Sequence, residues 1–254
     1  MGAYNKGGIK LLADIAKPHL GVVTGVNEQH LSLFGSMENL YSAEGGKELI
    51  QALPESGKVI LNGDNEYLQS QKGNIQRESI FTSNSDQVKD IQVDKDRVSF
   101  TVEGVQFSLT MVGTHNIENV LLGIAVAREM GMTIEEISKA LQDLPSRIFA
   151  TQLKGGRDGV AVLDGTYSAN PTGVLADLEH MKLWQGKKIV VMPCLIELGE
   201  ASKSVHEIIG EKIKEINGTA IIMSKECVED VARGAGKENV QFIESIGSIK
   251  QILS

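Results

Sequence analysis

The sequence predicts an α/β protein of two domains, the first mixing a parallel sheet with antiparallel hairpins and the second doubly wound in a Rossmann-like order. Three observations predict it. Short apolar runs alternate with helical patterns towards both ends of the chain. Between Ile91 and Met111 apolar and polar residues alternate with a period of two instead. Pro145 then interrupts a helical pattern just before the strand-and-helix order restarts, which places a boundary close to residue 149 and gives domains 1–148 and 149–254.

The first strand is expected over Gly21 to Val26, followed by a polar loop at Asn27 to His30 and a helix from Met37 to Leu53. Lys58 to Asn62 supplies a second, parallel strand. Val98, Phe100 and Val102, then Val105, Phe107, Leu109 and Met111, face one way, with turns at Asp94 to Asp96 and at Glu103-Gly104, as antiparallel hairpins require. Ile117, Val120, Leu121 and Ile124 share one helix face, and Gly131 suits a left-handed C-cap. Thr133 and Glu136 form a capping box for a helix that buries Ile137, Leu141 and Leu144. In the second domain the strands are Val160 to Asp164, Lys188 to Met192 and Thr219 to Met223, separated by helices near Thr172 to Leu183 and Ser204 to Ile216.

Composition narrows the function classes. A chain of 254 residues, 41% hydrophobic, is long enough for a packed core. A formal net charge of -8 disfavours non-specific nucleic-acid binding, which needs clustered Lys and Arg. Runs such as Ile189 to Met192 fall far short of the ~20 residues that span a bilayer, so no membrane insertion is expected, and a cytoplasmic location is. Cys194 and Cys227 stand in no C-x-x-C or Cys/His spacing, so free buried thiols are expected rather than zinc or a disulfide. No G-x-G-x-x-G follows a strand, and a dinucleotide is not implied.

The stretch V-A-V-L-D-G-T-Y-S-A-N-P, Val160 to Pro171, ends an apolar strand at Asp164 and turns towards a helix. At the carboxyl edge of a parallel sheet, Asp164, Tyr167 and Asn170 would project into a ligand crevice. An ordinary turn capped by Asp and Asn reads the same residues equally well.

Four segments in order, Asn27 to Ser36 around H-L-S-L-F-G-S, Gly113-Thr-His-Asn116-Ile-Glu-Asn119, Pro145-Ser-Arg147 and Asp164 to Pro171, resemble the Mur ligases, ATP-dependent enzymes that add amino acids or a dipeptide to the peptidoglycan precursor. Glu197-Leu-Gly-Glu-Ala-Ser202 with His206 is similar to a further segment of the dipeptide-adding branch, although His206 reads equally well as a helix-surface residue. The resemblance covers nearly the whole chain. It implies ATP and Mg2+, with UDP-muramoyl-peptide and D-alanyl-D-alanine as partners, an acyl phosphate attacked by an amine, and a monomer.

By the same resemblance His30 holds a magnesium ion, and Asn119, with Asn116 one turn earlier, meets adenine; a side-chain amide offers a donor and an acceptor together. Helix capping is the plainer reading of Asn116. Arg147, at the hinge, reaches the γ-phosphate with its guanidinium fork. Asp164 contacts ribose or phosphate, and Asn170 lies in the same loop. Departures from the family pattern fall at Gly165, where a second Asp is usual, and at Gly46, where a carbamylated lysine is usual; Lys47 is one residue, or ~100° of helix rotation, away.

The phosphate loop G-x-x-x-x-G-K-[ST] does not occur in the chain. A fragment lacking the family's N-terminal domain and phosphate loop is expected, and it should be inactive alone, since one oxyanion donor is worth ~2.7–4 kcal/mol and a whole cradle more. Two alternatives stay open: a non-catalytic remnant with weak nucleotide binding, and a ligase of the folylpolyglutamate-synthase kind.

Overall fold

A computed structural model describes residues 5–27, 30–145, 151–167 and 169–244. The chain divides into two compact units, Met1–Phe149 and Ala150–Ser254.

In the first unit, α1 (Gly8–Ala16) leads to β1 (Leu20–Val23), then α2 (Leu31–Phe34), α3 (Met37–Ala43), α4 (Lys47–Ala52), β2 (Lys58–Asn62), α5 (Glu66–Ser70), β3 (Glu78–Thr82) and α6 (Asn84–Gln87). Strands β1, β2 and β3 are parallel in that order, with Val22 opposite Ile60 and Ile60 opposite Ile80. Val59, Ile60 and Leu61 are fully buried, as expected of a central parallel strand covered on both faces. The helix expected over Met37 to Leu53 is two helices instead. Gly46 takes φ 88 and packs against Val23, and the chain breaks there. Buried Glu48, in the first turn of α4, accepts N–H bonds from Gly7 (2.7 Å) and Lys10 (3.0 Å), supplying the cap that Gly7 cannot give to α1.

The hairpins form as expected: β4 (Val88–Val93), β5 (Val98–Val102) and β6 (Val105–Leu109) are antiparallel, Phe100 facing Phe107. They make a separate sheet whose buried side packs on α7 (Asn116–Glu129) and α8 (Ile134–Gln142), so the period of two reports one covered face. Gly131 is left-handed at φ 90, and the Thr133–Glu136 capping box closes in both directions at 2.8 and 3.2 Å.

The second unit contains β7 (Gln152–Gly155), β8 (Ala161–Asp164), α9 (Pro171–His180), β9 (Lys188–Met192), α10 (Ser202–Glu215), β10 (Gly218–Ile222), α11 (Val228–Ala235) and β11 (Val240–Phe242). Strands β9, β10 and β11 form a parallel sheet with β10 central. The expectation that Val160 to Asp164 ends at a parallel edge is corrected: β8 pairs antiparallel with β7, Leu163 opposite Leu153, in a sheet of its own. Val160 and Val162 are exposed, so this strand's apolar run does not mark a buried central strand.

Candidate functional site at the sheet edges

At the carboxyl edge of β1–β2–β3, strand-end polar groups are tied to the loops they launch. Asn62, buried at the end of β2, donates through Nδ2 to the Thr24 carbonyl (3.0 Å) and to Glu118 Oε2 (2.8 Å), while its Oδ1 accepts from the Asp64 N–H (2.9 Å). Asn65 donates to the Val26 carbonyl (3.1 Å) and caps α5 through the Leu68 N–H. Asp64 accepts from Ser83 Oγ (2.8 Å) and the Asn84 N–H (2.6 Å). The three strand ends and the first turn of α7 therefore hold one another, and the carboxylate of Glu118 sits in a helix's first turn, where the dipole favours it.

His30 ends the connection that leaves β1 for α2. It is the left-handed N-cap residue of α2 (φ 68), and its Nδ1 lies 2.9 Å from Glu44 Oε1, just past α3. Both side chains are partly exposed. A carboxylate on one ring nitrogen fixes the ring's orientation, an arrangement common in histidines that ligate metals.

Asn116 and Asn119 part company. Asn116 is the first residue of α7, not its cap; His115 takes the cap position, and the buried Asn116 Nδ2 meets the Val112 carbonyl (2.9 Å) and His115 Nε2 (3.1 Å). Its amide hydrogens thus tie down the start of α7. Asn119 is exposed, next to Glu118.

Gly46 and Lys47 define the start of α4. A Cβ at residue 46 would sit 2.5 Å from Val23 Cγ2, so the left-handed backbone and the strand together exclude a side chain there. Lys47 is exposed. Arg147, together with the expected hinge around it, and Ser168 lie outside the described residues.

In the second unit, Asp164 accepts from the Thr166 N–H (3.1 Å) and Oγ1 (2.6 Å) and pairs with Lys154 across the hairpin. The Lys154 ammonium, aided by the two Thr166 bonds, lowers its carboxyl to about 2. Asn170 caps α9 through the Gly173 N–H (2.9 Å), and Tyr167 is 80% exposed. The capped-turn reading of this loop is therefore realised in its hydrogen bonds.

Gly165 has a reason of its own. A Cβ there would lie 2.6 Å from Asp177 Oδ2, which accepts from Thr151 Oγ1 (2.9 Å). Burial raises the Asp177 carboxyl to about 6, opposed by the Thr151 bond, and its Oδ1 has no hydrogen-bond partner among the described residues.

Because the folded value lies above the ~3.9 of a free Asp, the stabilisation is complete below pH ~4 and is lost as the pH rises through about 6. The second unit should therefore unfold at lower denaturant concentration at pH 7.5 than at pH 5. Asp177→Asn should remove most of that difference, about 1 kcal/mol over this interval after allowing for solvent. Denaturation midpoints at the two pH values measure it, and an unchanged pH slope in the variant would reject the assignment.

One further expectation is corrected, and one of the two open readings of His206 is excluded. Cys194 and Cys227 are not free thiols: they form a disulfide with Cα atoms 5.7 Å apart. They are 33 residues apart in sequence, but β9 and β10 are neighbours, so the segments beyond those strands meet. Residue spacing does not carry that adjacency. His206 is not on the helix surface but fully buried, its Nδ1 on the Ser202 carbonyl (2.7 Å) and its Nε2 accepting from the Leu195 N–H (3.0 Å).

Glu44, Asn62, Glu118 and Asp177 escaped sequence reasoning. Asn62 had a signal, a polar amide closing the apolar run V-I-L-N, whereas Glu44 and Asp177 act through partners that no local pattern names.

The parallel sheet with polar, mutually bonded strand ends, and the second unit with a parallel sheet of its own, define a two-unit α/β protein. The Mur ligase middle domain matches residues 1–127, half of the chain, and the chain belongs to the Mur ligase family. It is similar to the UDP-N-acetylmuramoyl-tripeptide--D-alanyl-D-alanine ligase of Synechocystis, 30% identical over 95% of this chain and 53% of the relative. The enzyme of that name from Bacillus subtilis is 29% identical over 84% and 47%. The fold is similar to that of MurF from Acinetobacter baumannii (TM-score 0.87, 20% identity, 100% of this chain and 56% of that one). It is also similar to that of MurF from Thermotoga maritima in complex with ADP (TM-score 0.82, 23% identity, 100% and 59%). The chain spans about half the length of the curated relatives it matches. No helix among the described residues is long and apolar enough to cross a membrane.

Proposed function

We propose that the complete protein is an ATP-dependent, ADP-forming ligase that joins D-alanyl-D-alanine to a UDP-muramoyl-tripeptide carboxylate in the cytoplasm, acting as a monomer. Residues 1–148 are then part of the central, ATP-binding domain and 149–254 part of the C-terminal one. The observation that carries the reading is the oriented His30–Glu44 pair, within the residues that match the Mur ligase middle domain.

The donor set fits Mg2+. Glu44 orients the His30 imidazole through Oε1 and has in Oε2 a hard carboxylate oxygen of the kind the ion prefers. When bound, the ion neutralises phosphate charge and helps activate the carboxylate towards the incoming amine. The chain's residues then divide the work. Asn119 is the exposed amide suited to adenine, while Asn116 behind it fixes the start of α7. Asp164, held ionised by Lys154, presents an acceptor suited to ribose hydroxyls; Asn170 fixes α9 behind it, and Arg147 serves the γ-phosphate.

ADP release by the full-length gene product, given UDP-muramoyl-tripeptide, D-alanyl-D-alanine and Mg-ATP, tests the reading; no release would refute it. Within that enzyme, Glu44→Gln should raise the Mg2+ concentration needed for half-maximal ADP release about 10–100-fold. An unaltered Mg2+ requirement would remove His30 and Glu44 from the metal site.

A further inference from the structure

Three soft or borderline ligand groups, none of them used above, meet in the second unit. Cys194 follows β9, Cys227 immediately precedes α11, and His206 lies on α10; their Sγ and ring nitrogen atoms all fall within 4.8 Å of one another. Cys227 is 2% exposed, His206 fully buried and Cys194 partly exposed. We propose that Cys194, Cys227 and His206 form a redox-gated site for a thiophilic divalent cation, closed as a disulfide when oxidised and open as an S,S,N ligand set when reduced.

The histidine is already arranged for the task. Its Nδ1 faces the Ser202 carbonyl at 2.7 Å, which selects the tautomer with the proton on Nδ1 and leaves the lone pair on Nε2. That lone pair now accepts from the N–H of Leu195, the residue after Cys194. Opening the S–S bond frees the Cys194 segment to move, and the same displacement releases Nε2. In a tetrahedral zinc site, with Zn–S about 2.3 Å, two sulfurs lie about 3.8 Å apart. The three donors already lie within 4.8 Å of one another, close to the spacing such a site needs.

Charge supports a divalent ion. Two adjacent thiolates alone, one of them buried, would be strongly disfavoured, whereas two thiolates and one divalent cation are neutral together. Reduction proceeds at Cys194, the partly exposed member of the pair. A small-molecule thiolate attacks Cys194 Sγ and forms the mixed disulfide, and the S–S electron pair leaves with Cys227 Sγ, which takes a proton. A second thiol attacks the mixed disulfide, releasing the small-molecule disulfide and the Cys194 thiol. Two thiols are oxidised, one disulfide is reduced, and metal binding then displaces both cysteine protons.

The test uses the whole 254-residue chain, with Co2+ as a spectroscopic probe and Zn2+ as its competitor. After anaerobic reduction, one Co2+ per chain should bind with the thiolate-to-metal charge-transfer absorption of a sulfur-ligated tetrahedral site, and Zn2+ should abolish that absorption. The air-oxidised chain should show none. Cys194→Ser should lose the band, and His206→Gln should weaken Co2+ binding tenfold or more. If the serine variant fails to fold, the comparison of reduced with oxidised native chain still decides. No charge-transfer band on the reduced chain, an equal band on the oxidised chain, or undiminished affinity in His206→Gln would each overturn the proposal.

Discussion

Gly210→Ala and Gly234→Ala will each destabilise the second unit by about 2–3 kcal/mol, a large share of a domain's total stability. These glycines are where α10 and α11 touch. A Cβ at residue 210 would stand 2.2 Å from the Val231 carbonyl oxygen, and one at 234 would stand 2.1 Å from that of Glu207 and 2.6 Å from the Glu211 nitrogen. The obstructing atoms are backbone, so no flexible side chain can yield and the helices must separate. Separation loosens the packing of Ile209, Ile213, Val231 and Ala235, all buried in the same core. Overpacking of this kind costs about 1–3 kcal/mol and the lost contacts add to it, while the better helix propensity of alanine returns up to ~1 kcal/mol. The close approach also sets the second unit's chemistry, because His206 lies one turn before Gly210 and Cys227 immediately precedes α11. Equilibrium denaturation measures the loss. The double variant should cost less than the sum, since helices already parted by one methyl accommodate the second more easily. Native stability in either single variant would mean that the helices do not cross at these residues.

What the sequence discloses and what it withholds divide along the range of the interactions involved. The period-two alternation from Val98 to Met111, the Thr133–Glu136 box and the left-handed Gly131 are set within a few residues, and each forms as local chemistry dictates. The strands at Lys188 and Thr219 begin within one residue of where the apolar runs place them. The disulfide, the Asn62–Glu118 bond and the His30–Glu44 pair are set by which strands and helices become neighbours, and no spacing in the chain encodes that order. Val160 to Asp164 misleads for a related reason: an apolar run reports the capacity to be buried, and here it is used on an exposed antiparallel hairpin. Gly46 and Gly165 are legible as departures from the family pattern, but their cause appears only with Val23 and Asp177 beside them.

Gly46 carries the second large effect. Replacing it by alanine should cost about 3 kcal/mol, because two penalties act together. A Cβ residue at φ 88 bears the left-handed penalty of about 1–2 kcal/mol. The same Cβ, 2.5 Å from Val23 Cγ2, must displace a buried side chain of β1, adding about 1–3 kcal/mol. Gly46→Lys meets the same two obstacles, so supplying a lysine at the place where the family usually has one should destabilise the fold instead of restoring a metal ligand. Lys47→Ala is the contrast. Its side chain is exposed, and its removal should change stability by no more than about 0.5 kcal/mol. Displacing Val23 has a further consequence, since the chain leaves β1 directly into the Thr24–Val26 carbonyls that Asn62 and Asn65 hold. That loop leads on to His30. In the full-length protein, Gly46→Ala should therefore both lower the denaturation midpoint and raise the Mg2+ requirement for ADP release, whereas Lys47→Ala should do neither. A Gly46→Ala protein of native stability would show that α4 can start without the left-handed turn, and the close contact with Val23 would then not explain why this position carries no side chain.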